Sequence, residues 1–370
     1  MSTVRSSITN GDSAKNDWYQ LVASKHCWRH MVITMGIHVG ERFIAPCTHP
    51  APGLSRRCCK NHTMQTKLEA CRAWLKAREK PEISIRYERA QQPMPVGASK
   101  IGGCPDVPAG FDWPYFDTSH LWCPGDGIIK RLHQFIRLFR PAHKEEKKKE
   151  PVLYPLTFLA QFDLAEVAAF DTEGLLPRAG HLAFFYDCFH QPGYTPDDGD
   201  CARVFYFPPG TVLQRTEPPA ALYEKCRLPE YRLAFSRGTS RAPSIVRMPE
   251  DDEEIIDKII DEYYGGGPEG WDDFKLLGNA NAIQNGDAMG EQCQLYSMGL
   301  DWDDATTPQQ KEAIKAGTPD WMLLLQFGSI FEGKKTVMMF GDSGALYYWI
   351  RRQDLAACRF DDVRVIMECC

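Results

Sequence analysis

The sequence predicts an α+β fold: a mainly antiparallel sheet core that arises from an internal duplication, with helices at its periphery. Two pairs of matching segments carry that expectation. Thr157-Phe158-Leu159-Ala160-Gln161-Phe162-Asp163 lies over Met322-Leu323-Leu324-Leu325-Gln326-Phe327-Gly328, two strand-length apolar runs with a glutamine at the same place. Behind them, Gly180-His181-Leu182-Ala183-Phe184-Phe185-Tyr186 lies over Gly344-Ala345-Leu346-Tyr347-Tyr348-Trp349-Ile350, each a glycine leading into an aromatic run. Runs of this length that are apolar on both pleat faces belong inside a sheet. Two related units, each with a face it cannot bury alone, are expected to close over one another.

The chain has 370 residues, 43% hydrophobic and 25% charged, which is ordinary globular composition. A formal net charge of −6 argues against a nucleic-acid-binding role, because phosphate neutralisation needs a concentrated Lys/Arg surface. The fourteen cysteines are scattered through a long chain whose start does not read as a signal peptide, so reduced thiols and a cytoplasmic location are expected. The apolar stretch Met31 to Val39 is too short to span a bilayer, and no membrane insertion is expected.

Residues 1–63 show no sustained helical or strand period and are expected to be a poorly ordered extension, leaving 64–370 as the globular domain. Met64, Leu68, Cys71 and Leu75 then share one helical face, and Pro81 stops the helix. Ile83 to Tyr87 alternates like a strand, followed by a turn-rich segment through Gly102, Gly103 and Trp113-Pro114. Residues 120–151 read as an insertion. It holds a basic amphipathic stretch, 128–140, whose simplest reading is a helix docked on its own domain and whose functional reading is a partner or membrane-surface contact. Glu250 to Glu254 lead into an acidic amphipathic helix that Gly265 to Pro268 end, with the acids complementing the helix dipole.

Gln161 and Gln326 are expected to be buried. A buried amide must find partners, and clamping neighbouring loops is the preferred reading over ligand binding. In Asp163-Leu164-Ala165-Glu166 the aspartate is placed to cap a short helix and the glutamate to return the bond. Gly341-Asp342-Ser343-Gly344 superficially copies the nucleophile segment of serine proteases, but no matching histidine segment precedes it. Asp342 is instead expected to bond turn amides, and Gly344 to supply a permissive backbone angle. The histidines and cysteines of the first 63 residues lack zinc-finger spacing, and Gly265-Gly266-Gly267 lacks the ending of a phosphate loop. No metal, cofactor or catalytic residue is assigned.

Taken together, Ser99-Lys100-Ile101-Gly102-Gly103-Cys104-Pro105, Trp113-Pro114, Phe158 to Asp163, Leu176-Pro177 with Gly180, Leu323 to Gln326, Phe340 to Gly344 and Phe360-Asp361-Asp362 resemble the YwqG-like family, domain of unknown function 1963, over roughly residues 83–370. The resemblance implies an α+β fold with a duplicated sheet unit and fixes no reaction. Some bacterial relatives occur in toxin and immunity gene neighbourhoods, which implies protein binding by analogy. The sequence departs from the pattern in residues 1–63, in the 120–151 insertion and in Phe340, where relatives commonly have tryptophan. The leading expectation is a non-enzymatic protein-binding module, with aromatics such as Trp113, Tyr347 and Trp349 suited to anchoring partners if exposed. The competing one is a small-molecule sensor or enzyme using a groove between the two halves. The candidate ligand-binding residues are Gln161, Gln326, Asp342, Gly102, Gly103 and Trp113.

Overall fold

The computed structural model describes residues 56–119, 121, 151–244, 248–249, 252–265, 273–284 and 288–370. Most of the expected extension and of the 120–151 insertion, including its basic stretch, lies outside these. The helices are α1 (Arg56–Lys76), α2 (Leu164–Val167), α3 (Glu253–Tyr264), α4 (Met289–Ser297), α5 (Pro308–Gly317) and α6 (Arg352–Ala356). The chain divides into two compact units, one of residues 1–78, 245–269 and 370, the other of 79–244 and 270–369.

In the first unit α1 and α3 pack together. The α1 helix starts at Arg56 rather than at Met64, because nothing between the two positions is a glycine or proline that would stop it. Arg72 and Glu262 pair across the two helices at 2.7 Å, a solvent-exposed contact of little energetic weight. The α3 boundaries follow the sequence signals: Asp252 accepts from the Glu254 amide, and Gly265 ends the helix in the left-handed region. Ile255 and Ile259 are its buried positions.

The second unit is built on a ten-stranded antiparallel sheet. Its strands are β1 (Lys80–Arg89), β2 (Lys100–Ile101), β3 (Thr157–Asp163), β4 (His181–Tyr186), β5 (Ala202–Phe207), β6 (Tyr231–Ser240), β7 (Phe274–Leu276), β8 (Trp321–Gly328), β9 (Ala345–Arg351) and β10 (Arg364–Glu368). They lie in the order β10-β9-β8-β7-β1-β6-β2-β3-β4-β5. The long central pair, β1 and β6, is joined from Lys80↔Ser240 to Arg89↔Tyr231. Outward from β6 run β2 to β5, and outward from β1 run β7 to β10.

The registers of the two arms correspond. Lys100 faces Gln161 across β2–β3, and Lys275 faces Gln326 across β7–β8. Gln161 then faces Ala183 on β4, while Gln326 faces Tyr347 on β9. The strict alternation expected for the two apolar runs is broken at the same place in each. The register slips between Phe158 and Ala160 in β3 and between Leu323 and Leu325 in β8, so Leu159 and Leu324 are extra residues of matching bulges. Both strands are flanked on two sides, which is why they tolerate near-continuous burial.

The sheet curls until strands near its two ends touch. The Tyr348 hydroxyl on β9 donates to the Phe185 carbonyl of β4 at 3.1 Å, and the Phe184 and Tyr348 rings meet edge-on at 5.2 Å. Tyr186 and Phe340 add a second ring contact across this seam. Packed aromatic side chains thus meet along this seam. The α2 helix follows β3 directly: Asp163 caps it by accepting from the Ala165 amide at 3.0 Å. Glu166 does not return the bond; it takes the Ser99 hydroxyl at 2.7 Å and so ties α2 to the segment entering β2. No capping bond comes from Asp354 in α6 either; its carboxylate pairs with Arg359.

Candidate functional site

The predicted site residues separate into four places. Gln161 sits at the edge of a buried ionic cluster. Its side-chain oxygen accepts from the Asp106 amide at 2.8 Å, and its nitrogen donates to the Ala98 carbonyl and to Asp106 Oδ2. Asp106, with no exposed side-chain surface, also receives Arg215 Nε at 3.0 Å and the Gly97 amide at 3.0 Å. Lys100, equally enclosed, reaches Glu230 at 2.9 Å, the Cys104 carbonyl at 2.7 Å and Asp106 at 3.5 Å. Burial pushes the Asp106 carboxyl up, but the bonds from Arg215, Gly97 and Gln161 and the charge of Lys100 outweigh it and hold the group below the usual carboxylate range.

Gly102 and Gly103 form the turn that closes over this cluster. Both have positive φ, and a Cβ on Gly102 would lie 2.1 Å from the Pro229 carbonyl oxygen. Gly103 is packed against the Glu230 side chain. Gly102 therefore serves close approach of backbone to backbone, and Gly103 leaves room for the Glu230 side chain.

Gln326 occupies the corresponding place in the other arm. It accepts from the Asn281 amide at 2.9 Å, and Lys275 bonds Asn281 Oδ1 at 2.9 Å. Glu82 stands 3.0 Å from Lys275 Nζ, although that oxygen makes no well-directed hydrogen bond. Burial lowers the Lys275 pKa, with Glu82 opposing. Each glutamine thus clamps a loop of its own arm. Replacing Gln161 by leucine is expected to cost about 1–3 kcal/mol through the stranded Asp106 and Ala98 groups, measured by denaturant titration; an unchanged midpoint would contradict the clamp.

Trp113 and Asp342 are elsewhere. The Trp113 indole donates to the Leu156 carbonyl at 2.9 Å and meets Phe185 edge-on, so it is a half-buried packing residue. Tyr347, offered as an exposed anchor, is fully buried. Asp342 is exposed, and its side chain makes no hydrogen bond or ion pair among the described residues. The expected roles in its turn are reassigned. Positive φ falls on Gly341 and Ser343, whereas Gly344 is required because a Cβ there would lie 2.2 Å from the Glu368 carbonyl oxygen.

That turn is held from outside by Gln191, whose side chain donates to the Met339 carbonyl and accepts from the Gly341 amide at 2.8 Å. Gln191 belongs to the loop after β4, which carries a constellation the sequence reading missed. Asp187, fully buried, accepts the Phe189 and His190 amides on one oxygen and His190 Nδ1 at 2.7 Å on the other. The imidazole lies edge-on to Tyr154 and Phe189, with ring centroids 5.4 and 4.8 Å away, and Tyr223 meets Phe189 at 5.6 Å. Phe189 and Tyr223 are 44% and 46% exposed. Tyr154 comes from a short ladder, Tyr115–Asp117 with Leu153–Pro155, whose other face leaves Tyr115 and Leu153 exposed.

A nucleophile for this Asp–His pair is not supplied by the nearby thiols. Burial pushes Cys226 up to about 11 and Cys188 well above its usual value, and the Asp187 charge raises both further. Thiols of this kind are inert. Tyr154 is likewise raised by burial. Among the described residues no group of three His, Cys, Asp or Glu side chains is placed to hold a metal.

The family model for a domain of unknown function, DUF1963, matches residues 99–369. The chain belongs to the DUF1963 family. The match takes in both charged clusters' glutamines, the Asp187–His190 pair and the Phe340–Gly344 turn. It begins after β1, although β1 is paired along its whole length with β6 at the centre of the sheet. The DUF1963 fold of this chain therefore uses residues ahead of the family match. No curated protein matches the sequence. No helix among the described residues is long and apolar enough to cross a membrane.

Proposed function

We propose that this DUF1963 protein is a non-enzymatic protein-binding module that works through the aromatic surface around His190. The observation that carries the reading is the cluster Tyr154, Phe189, His190 and Tyr223, in which two large rings touch each other and still keep nearly half their surface in solvent. Grouped aromatics of this kind mark interaction sites, whereas apolar side chains exposed singly need no explanation. The buried ionic clusters, by contrast, bond to loops and strands of their own unit.

The internal duplication is part of the same proposal. Matching strand order, matching Lys–Gln registers and matching bulges support two copies of one unit. The loop after β4, residues 187–201, differs from its counterpart after β9, where α6 forms. In this reading, binding evolved on the arm whose loops are free to vary.

Phe189→Ser combined with Tyr223→Ser is expected to leave the melting temperature nearly unchanged and to weaken the partner at least tenfold, as loss of central aromatic anchors does. Partners are identified by crosslinking and mass spectrometry with the wild-type chain, then compared between variants. Val212→Ser, at an apolar residue 84% exposed, is the control that should retain them. Equal recovery of every partner by wild type and double variant would defeat the reading.

A further inference from the structure

The chemistry of the surface narrows what it accepts. A carboxylate has only acceptors, so Asp187 fixes the hydrogen of the neutral His190 ring on Nδ1. The lone pair is then on Nε2, which has no hydrogen-bond partner among the described residues. Because the Asp187 carboxylate is anchored by two backbone amides, the ring is held in one orientation, and its side chain keeps 13% of its surface open. Around it the nearest side chains are aromatic, and the hydroxyl of Tyr154 already accepts from the Tyr223 amide. The Tyr154 hydroxyl and the Cys226 and Cys188 thiols stay protonated at neutral pH because burial raises them, so they add no charge to attract an ion.

With the ring neutral, the open surface therefore offers ring faces and edges together with one acceptor, Nε2. We propose that it receives an aromatic side chain bearing a hydrogen-bond donor, a tyrosine or tryptophan of a partner protein, with His190 Nε2 accepting from the hydroxyl or indole N–H. Edge-to-face packing on Phe189 and Tyr223 supplies the apolar contact, and the imidazole makes the contact selective. An aliphatic or phenylalanine side chain would cover Nε2 and leave it unsatisfied, which is the usual source of strong discrimination by a buried polar group. The exposure of both rings suits a side chain presented by a large body. This assignment rests on the protein-binding reading above and refines it.

The test uses the full chain and two small probes, p-cresol and its O-methyl ether 4-methylanisole, which lacks the donor. Ligand-detected NMR is expected to give p-cresol at least fivefold tighter binding, with both probes shifting the His190 ring resonances. His190→Phe should bring the two probes to within twofold of each other, and His190→Gln, which restores an acceptor, should recover part of the preference. Equal binding of the two probes to the wild-type chain overturns the proposal, and this arm needs no variant to fold. A preference that survives in His190→Phe also overturns it. His190 resonances that move with protein concentration would assign the surface to a second copy. Resonances that ignore both probes but move when residues 122–150 are removed would assign it to the chain itself. Either result rejects the partner side chain. Failure here, with partner loss in the Phe189/Tyr223 double variant intact, strikes the donor assignment alone; retention of partners by that double variant strikes the binding surface.

Discussion

Replacing Gly102 by alanine is expected to destabilise the sheet unit by at least about 3 kcal/mol, because two costs combine. The backbone there has φ +65°, where any side chain is strained, and the new methyl would sit 2.1 Å from the Pro229 carbonyl oxygen and 2.8 Å from the Leu228 Cβ. Backbone on one side and a buried leucine on the other leave no direction for relaxation. A loss of this size lowers the melting temperature by about 6–12 °C for a unit of this length. Gly110→Ala provides the comparison: its φ is +74°, but nothing lies within 4 Å of the added carbon. It should show only the left-handed strain, about 1–2 kcal/mol. Similar melting temperatures for the two variants would mean that the close approach at Gly102 is not a constraint.

Asp106→Ala is expected to be as damaging, at about 3–5 kcal/mol, since it strips a buried partner from Arg215, Lys100 and Gln161 at once. A charge left without compensation in a closed site costs more than the pair contributed when intact. The aspartate also predicts an acid response. Its folded pKa lies below the unfolded value of about 3.9, so the unfolded chain binds this proton more readily. The contribution is complete above that pH and is lost as pH falls through the depressed folded value. Asp106→Asn keeps the shape and removes the titration. Its denaturant midpoint should be lower than wild type at pH 6, and the gap should narrow as the pH is taken from 5 towards 2. A constant gap over that range would show that Asp106 carries no linked proton.

The parts of the fold that were legible in the sequence are those encoded locally. Gln161 and Gln326, expected to be buried in strands, are buried and stand opposite Lys100 and Lys275. The ends of α3 could be read because Asp252 and Gly265 each act on the backbone within a turn of themselves. The bulges were not legible, since an extra leucine in an all-apolar run changes no pattern. Nor was the cluster of Lys100, Asp106, Arg215 and Glu230, whose members come from distant segments and are brought together only by strand pairing. Trp113 and Tyr347 were offered as anchors on residue type, but burial is decided by which face the sheet covers. The surface that remains exposed takes one ring from each of three separate places, near 154, 189 and 223. The only local hint was Asp187 and His190 three apart after an aromatic strand, a spacing that lets a side chain bond its own loop.

The pairing of β1 with β6 sets an order of events during synthesis. Arg89 leaves the ribosome about 140 residues ahead of Tyr231, and at ordinary elongation rates that interval is roughly 7–30 s. Throughout it the strand destined for the middle of the sheet has neither of its neighbours, since β7 is later still. Its residues Lys80, Glu82, Arg86, Glu88 and Arg89 keep the waiting segment charged on at least one side, as suits an edge that must avoid wrong pairings. A nascent chain stopped before residue 231 should thus be readily cut by protease between 80 and 89, and become resistant there once the second long strand has emerged.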